Sequence, residues 1–303
     1  QVSQSFQEYW DSPWAISIEH LVSSNTDKEG KNQLDALLAD KQTELSQISP
    51  SRKTESPESH FIQTLDELVW APAVFIYDQP GGENKKAYSE GPKRVASHLL
   101  QLAENSEKEI LIESAYFVLD EPALQIAARL RDRGVKMQAL TNSMASNDVL
   151  PNHASYAMVR EDMLKQGIKL YELRPDARSC LETVGQNAYC DEDSFLGLHA
   201  KAAVFDSQTI YVGSCNLNLR SAYLNTEVGM FVESPVLAKM LIQQIELNLR
   251  RENSWQPVIR DGQILWLTET NGIEETSTHE PQTSWLERVK EGFLILVPGA
   301  QYY

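Results

Sequence analysis

His199 and Lys201 stand two residues apart, and Ser214 and Asn216 repeat that spacing a little further along the chain. An imidazole, an ammonium, a hydroxyl and a carboxamide together suit a phosphate ester. The last three donate hydrogen bonds to phosphate oxygens. A histidine near its ordinary pKa of about 6.5 attacks phosphorus or delivers a proton to the departing alkoxide. Such an imidazole works best when a carboxylate fixes its tautomer, and Glu227 is the candidate for that role. Asp206 completes the candidate catalytic set. An Asp at a strand end commonly starts a turn, so its expected part is support rather than contact with substrate.

These side chains need two adjacent strands to hold them. Leu198 to Phe205 and Thr209 to Gly213 are β-rich runs joined by Asp206, Ser207 and Gln208, which reads as a hairpin. Side chains alternate across a strand, so His199 and Lys201 are expected on one face, with Ala200, Ala202 and Val204 pointing into a core. A third run follows at Val228 to Glu233. Upstream, strands near 73–77, 110–117, 135–141 and 168–173 alternate with helices near 92–103, 122–133 and 153–166, an order that predicts an α/β domain. A helix at 236–250, a strand at 264–267, an acidic stretch and a helix near 284–289 complete the chain. On the helix at 153–166, His153, Tyr156 and Arg160 share a face at i, i+3 and i+7. Two readings of them stay open, contact with substrate at the mouth of the pocket or an ordinary surface stripe. Tyr116, at the end of a predicted strand, is expected at the edge of the site.

The chain has 303 residues, 42% of them hydrophobic, which is enough for a substantial core. A net charge of −16 argues against a broad nucleic-acid footprint, although a small basic pocket is compatible with an acidic surface. No run approaches the roughly 18–20 apolar residues of a membrane span. The chain opens on Gln1 and shows no basic, apolar, small-residue signal sequence, so the start of the gene product is not in view and whether the chain is a fragment stays open. Residues 1–60 read as an aromatic segment, with Tyr9, Trp10 and Trp14, followed by a polar helical linker, and 61–303 as the catalytic domain. The aromatic opening suits packing on the domain or a membrane interface. Cys180, Cys190 and Cys215 cannot all pair within one chain. Reduced thiols are the expectation, with a Cys180–Cys190 bridge left open. No His, Cys or carboxylate spacing suggests a metal site.

The run from His199 through Lys201 to Asp206, followed by Gly213-Ser214-Cys215-Asn216, resembles the HxKxxxxD and GSxN signature of the phospholipase D superfamily. The resemblance extends through 217–221 and 225–229 and back to 113–117 and 140–143. With Phe6 to Ser12 and the 152–160 segment included, it is similar to the C-terminal half of bacterial C-type cardiolipin synthases. The family implies a mixed β-sheet flanked by helices in an α/β/α sandwich and no cofactor. It implies phosphatidyl transfer between phospholipids such as phosphatidylglycerol or phosphatidylethanolamine, through a phosphohistidine, and peripheral association with the bacterial cytoplasmic membrane. Its enzymes use two facing motifs, and this chain has one. The second imidazole is therefore expected from an N-terminal half or a second copy, and an isolated monomer is expected to be nearly inactive. A non-catalytic binding or scaffolding half, a hydrolase and a nuclease are the alternatives.

Overall fold

The computed structural model describes residues 1–20, 37–39, 41, 68–81, 91–184, 195–270 and 272–296. Most of the expected polar linker helix and the loop at 185–194 lie outside the described residues. Helix α1 (Val2–Trp10) precedes strand β1 (Ala73–Tyr77), α2 (Arg94–Asn105), β2 (Glu109–Ser114), α3 (Glu121–Asp132), β3 (Lys136–Asn142), α4 (Leu150–Lys165) and β4 (Ile168–Leu173). There follow α5 (Ser179–Val184), β5 (Lys201–Phe205), β6 (Thr209–Gly213), β7 (Val228–Glu233) and α6 (Pro235–Leu249). The chain then runs through β8 (Ser254–Arg260), β9 (Gln263–Thr270), β10 (Ile273–Ser277) and α7 (Trp285–Ile295).

The strands form a single mixed sheet in the order β1-β7-β6-β5-β2-β3-β4-β8-β9-β10. β2, β3 and β4 pair in parallel, which the helical crossovers α3 and α4 permit, while β5 runs antiparallel to both β2 and β6. Alternation sends Ile110, Ala203 and Phe205 into a core shared with α2, α3 and α4, and Leu111 and Val204 into a second core shared with α6. Both faces of β5 are therefore covered. Ala202 and Val204 point inward as expected, and so do Ala203 and Phe205, because a central strand between two helical layers has no solvent face. Caps set the helix starts. Asp120 accepts the backbone N–H of Ala123 at 3.0 Å ahead of α3, and Ser234 that of Leu237 at 3.2 Å ahead of α6.

The sequence pattern missed β8 and β10. Pro257 within β8 argues against a strand, yet it pairs with Trp266 of β9. β10, with Glu274 and Glu275, is poor in strand formers, and it sits at the sheet edge, where charge discourages further pairing. α1 lies beside β1: Tyr9 donates its hydroxyl to the carbonyl of Asp78 at 2.9 Å, and Tyr77 donates to Glu8 at 2.9 Å. Phe6 and Trp10 of α1 stack at 5.8 Å and remain exposed, as does Trp14. Cys215 is a buried free thiol, whereas Cys180 is disulfide-bonded, which corrects the expectation of reduced thiols for that residue.

Candidate active site

The end of the sheet where β5 begins and β6 finishes collects the candidate residues. His199 stands immediately before β5 and is exposed. Its position is set by its neighbours. Asn142 accepts the backbone N–H of Leu198 at 2.8 Å and donates to the Leu198 carbonyl at 2.9 Å. The same carboxamide donates to the Ala115 carbonyl at 3.1 Å, and the N–H of Ala115 reaches the Ala200 carbonyl at 3.0 Å. The backbone on both sides of His199 is thus clamped to β2 and β3.

Lys201 curls back, its Nζ donating to the His199 carbonyl at 2.8 Å and lying 6.0 Å from the centre of the Tyr116 ring. Partial burial lowers its pKa, opposed by the nearby Glu227 and Asp148 carboxylates. Tyr116 donates its hydroxyl to Asp148 at 2.7 Å, and burial followed by that carboxylate raises its pKa. The structure thus brings Tyr116 beside Lys201, at the edge of the site.

The loop after β6 is shaped by two glycines. Gly213 and Gly229 face each other across β6 and β7, and the Tyr211 ring lies over both. A Cβ on Gly213 would stand 2.3 Å from the Val228 carbonyl and 2.7 Å from the Tyr211 hydroxyl, so no other residue fits without a shift. Tyr211 then holds the turn, accepting the Cys215 N–H at 2.9 Å. Ser214 donates to Glu227 at 2.5 Å, and Asn225 donates to the other oxygen of that carboxylate at 3.1 Å. Asn216 keeps a buried Oδ1 that has no hydrogen-bond partner among the described residues. An unpartnered buried acceptor is costly in an apolar interior. This end of the sheet therefore holds an exposed imidazole, an ammonium and a carboxamide, while the Ser214 hydroxyl donates to Glu227.

Two expectations change, for Glu227 and for the His153 face, while Asp206 takes the supporting place expected of it. Glu227 is buried among Ser214, Asn225 and the backbone N–H it offers to Asp78, and among the described residues no side chain hydrogen-bonds the His199 ring. Asp206 lies at the opposite end of β5, roughly 23 Å along an extended strand from His199. There its carboxylate accepts the N–H groups of Glu107, Lys108 and Glu109 at 2.7–3.1 Å, which tie the β5–β6 turn to the start of β2. His153, Tyr156 and Arg160 are buried, and their helix face turns into the protein rather than toward a pocket mouth. Arg160 pairs with Glu172 at 3.1 Å and Glu280 at 2.6 Å, and Tyr156 donates to Glu172 at 2.8 Å. Substrate cannot reach them. Sequence reasoning also missed Asn142 as a positioning residue and Ser114, whose hydroxyl donates to the Tyr116 carbonyl and accepts the Leu217 N–H, joining the two loops.

Comparison with known proteins matches residues 99–248 to the family described as cardiolipin synthase, PLD-like domain. Cardiolipin synthase C of Escherichia coli (strain K12) is 34% identical over 254 residues, covering 82% of this chain and 52% of that protein. The major cardiolipin synthase ClsA of Bacillus subtilis (strain 168) is 25% identical over 206 residues, covering 63% and 38%. An uncharacterized protein of Helicobacter pylori (strain J99 / ATCC 700824) is 25% identical over 98% of this chain and 57% of its own length. The chain thus spans about half the length of E. coli cardiolipin synthase C. Among solved structures, Nuc from Salmonella typhimurium, a phospholipase D family member, aligns with TM-score 0.43 at 15% identity, over 62% of this chain and 100% of its own. Residues 99–248 of this chain, which carry its one HxKxxxxD run on the mixed sheet, therefore form a domain of the family described as cardiolipin synthase, PLD-like domain.

Proposed function

We propose that the chain supplies one half of a phosphatidyl-transfer site that cleaves and remakes phospholipid phosphodiesters. The observation that carries this reading is the exposed His199 ring, clamped through Leu198 and Ala200 beside Lys201 at the sheet end that also holds Ser214 and Asn216. In the first half-reaction one imidazole attacks phosphorus, the phosphorus–oxygen bond to the leaving alcohol breaks, and the facing imidazole protonates that alkoxide. In the second, an acceptor alcohol attacks the phosphohistidine, the phosphorus–nitrogen bond breaks to free the first imidazole, and the alcohol's proton passes to the facing imidazole, now neutral. His199 takes one of these roles, and an N-terminal half or a second copy supplies the other. Lys201 neutralises and the Asn216 amide N–H groups hold the phosphate oxygens, while Ser214, bonded to Glu227, positions the loop that carries Asn216.

A phospholipid substrate agrees with the names of the relatives and with the exposed aromatic stripe of Phe6 and Trp10, a surface type favoured at bilayer interfaces. No helix among the described residues is long and apolar enough to cross a membrane, so association with the bacterial cytoplasmic membrane is read as peripheral. The net charge of −16 disfavours a nuclease. The second reading is a non-catalytic half that binds or scaffolds. What favours it is Glu227, whose carboxylate is occupied by Ser214 and Asn225 rather than by His199.

Transfer from phosphatidylglycerol, measured with the chain alone and with an added N-terminal half, separates the two. The transfer reading expects activity with both halves and a loss of about 10²–10⁴ or more in rate for His199→Ala. Unchanged transfer by His199→Ala would remove His199 from the chemistry. Absence of transfer with both halves, with vesicle binding retained, would establish the scaffolding reading.

A further inference from the structure

His153 sits in a buried cluster that joins α4 to the segment ahead of α7 and to α7 itself. Its Nδ1 lies 2.5 Å from Oε1 of Glu291, and its Nε2 faces Oε2 of Glu280 across 3.9 Å. Neither Nε2 nor that Oε2 has a hydrogen-bond partner among the described residues. His153, Glu280 and Glu291 are only 1%, 7% and 6% exposed. With Nδ1 held by Glu291, Nε2 is the ring nitrogen turned toward Glu280 Oε2, and these two buried ligand atoms face each other with no other partner among the described residues.

The charge balance of the wider cluster points the same way. Glu172, Glu280 and Glu291 bring three buried carboxylates against the one guanidinium of Arg160. Buried carboxylates that outnumber their cations are an arrangement that folded proteins avoid, and a cation held at this point would offset the imbalance.

We propose that His153 Nε2 and Glu280 Oε2 ligate a divalent cation of the zinc class, with Glu291 orienting the imidazole, and that this ion clasps the C-terminal helix α7 to α4. A mixed imidazole and carboxylate donor set suits zinc better than magnesium or calcium, which prefer oxygen alone. The gap of 3.9 Å is spanned by two ligand bonds of about 2.0–2.2 Å each to one ion. One potential ligand atom from each of the three residues lies within 4.8 Å of the others. A carboxylate behind Nδ1 is the usual outer partner of a metal-bound histidine, fixing its tautomer and raising its basicity. The site is structural, since its residues are closed to substrate. Spacing could not reveal it, because Glu291 lies 138 residues from His153.

The test uses the full chain, stripped with chelator and titrated with Zn²⁺ alone by calorimetry and thermal unfolding. One equivalent should bind and raise Tm. Glu280→Gln and His153→Gln should each weaken binding by more than about 100-fold, and Glu291→Gln by about 10–100-fold. His279→Gln, at an exposed neighbour of Glu280, should leave binding unchanged. X-ray absorption of the wild-type zinc complex should show one imidazole, oxygen donors and no sulfur, a result that does not depend on any variant folding. A wild-type chain that takes up no equivalent of Zn²⁺, binding indifferent to both Glu280→Gln and His153→Gln, or a sulfur-containing shell would each overturn the proposal.

Discussion

Asp206 shows how one motif residue acts without touching substrate. Burial pushes its carboxyl pKa up, but the backbone N–H groups of Glu107, Glu109 and Lys108 more than offset this and hold it below the ordinary carboxylate range. A group with a depressed folded-state pKa contributes stability above its unfolded value of about 3.9 and loses that contribution as pH falls through the folded value. Asp206→Asn should therefore be less stable than wild type near neutral pH, with the gap closing below about pH 4. Urea unfolding at stepped pH measures it, and a gap independent of pH would show that the carboxylate's charge is not the cause. The gathering of His199, Lys201 and Asn216 at one end of the sheet is legible in the sequence because their spacing follows the pleat. Asn142 is not. It acts by holding the backbone of Leu198, 56 residues away, and a buried carboxamide looks the same in a sequence whatever it holds. Glu227 reads as a carboxylate near the site, but which neighbour takes its oxygens is decided by the turn at Ser214.

Helix α4 marks the reach of periodicity at the scale of an element. The spacing of His153, Tyr156 and Arg160 correctly puts them on one face, but a polar stripe facing solvent and a polar network facing inward have the same period. The deciding partners, Glu172 on β4, Glu280 and Trp266 on β9, come from pairings that no local pattern encodes. Burial raises the Glu172 pKa while Arg160 opposes it, and the Arg160 guanidinium lies 4.7 Å from the centre of the Trp266 ring. Arg160→Met keeps much of the volume and removes the charge, leaving two buried carboxylates without their partner. A loss of about 3–5 kcal/mol is expected, measured by equilibrium urea unfolding. A loss under about 1 kcal/mol, the range of exposed ion pairs, would mean that the cluster is wetter than its burial implies. The strands and helices of the α/β core are legible because both periods are strong there. β8 and β10 are not, since Pro257 and the paired glutamates mask them until the sheet edge supplies a partner.

For the whole molecule, the question is what faces His199, because the proposed transfer uses two imidazoles and this chain has one HxKxxxxD motif. Pairing of two copies about a twofold axis would place His199 on both sides of the phosphate through one self-complementary surface. Each copy carries −16, so that pairing works against like charge, with screening only beyond about 8 Å at physiological salt. A separate N-terminal half meets no such symmetric opposition, and E. coli cardiolipin synthase C, of which the chain covers 52%, has the length to contain one. The two routes differ in concentration dependence. If an N-terminal half completes the site, the chain alone should sediment as a monomer, and transfer at fixed chain concentration should rise hyperbolically to a plateau as the half is added. If a second copy completes it, rate per chain should climb with chain concentration in the absence of any partner, and added salt should promote both association and activity. Sedimentation velocity and initial rates over one dilution series at two ionic strengths decide between them. The charge and length arguments favour the first outcome. Salt-promoted self-activation would reverse it and place two copies of His199 in one site.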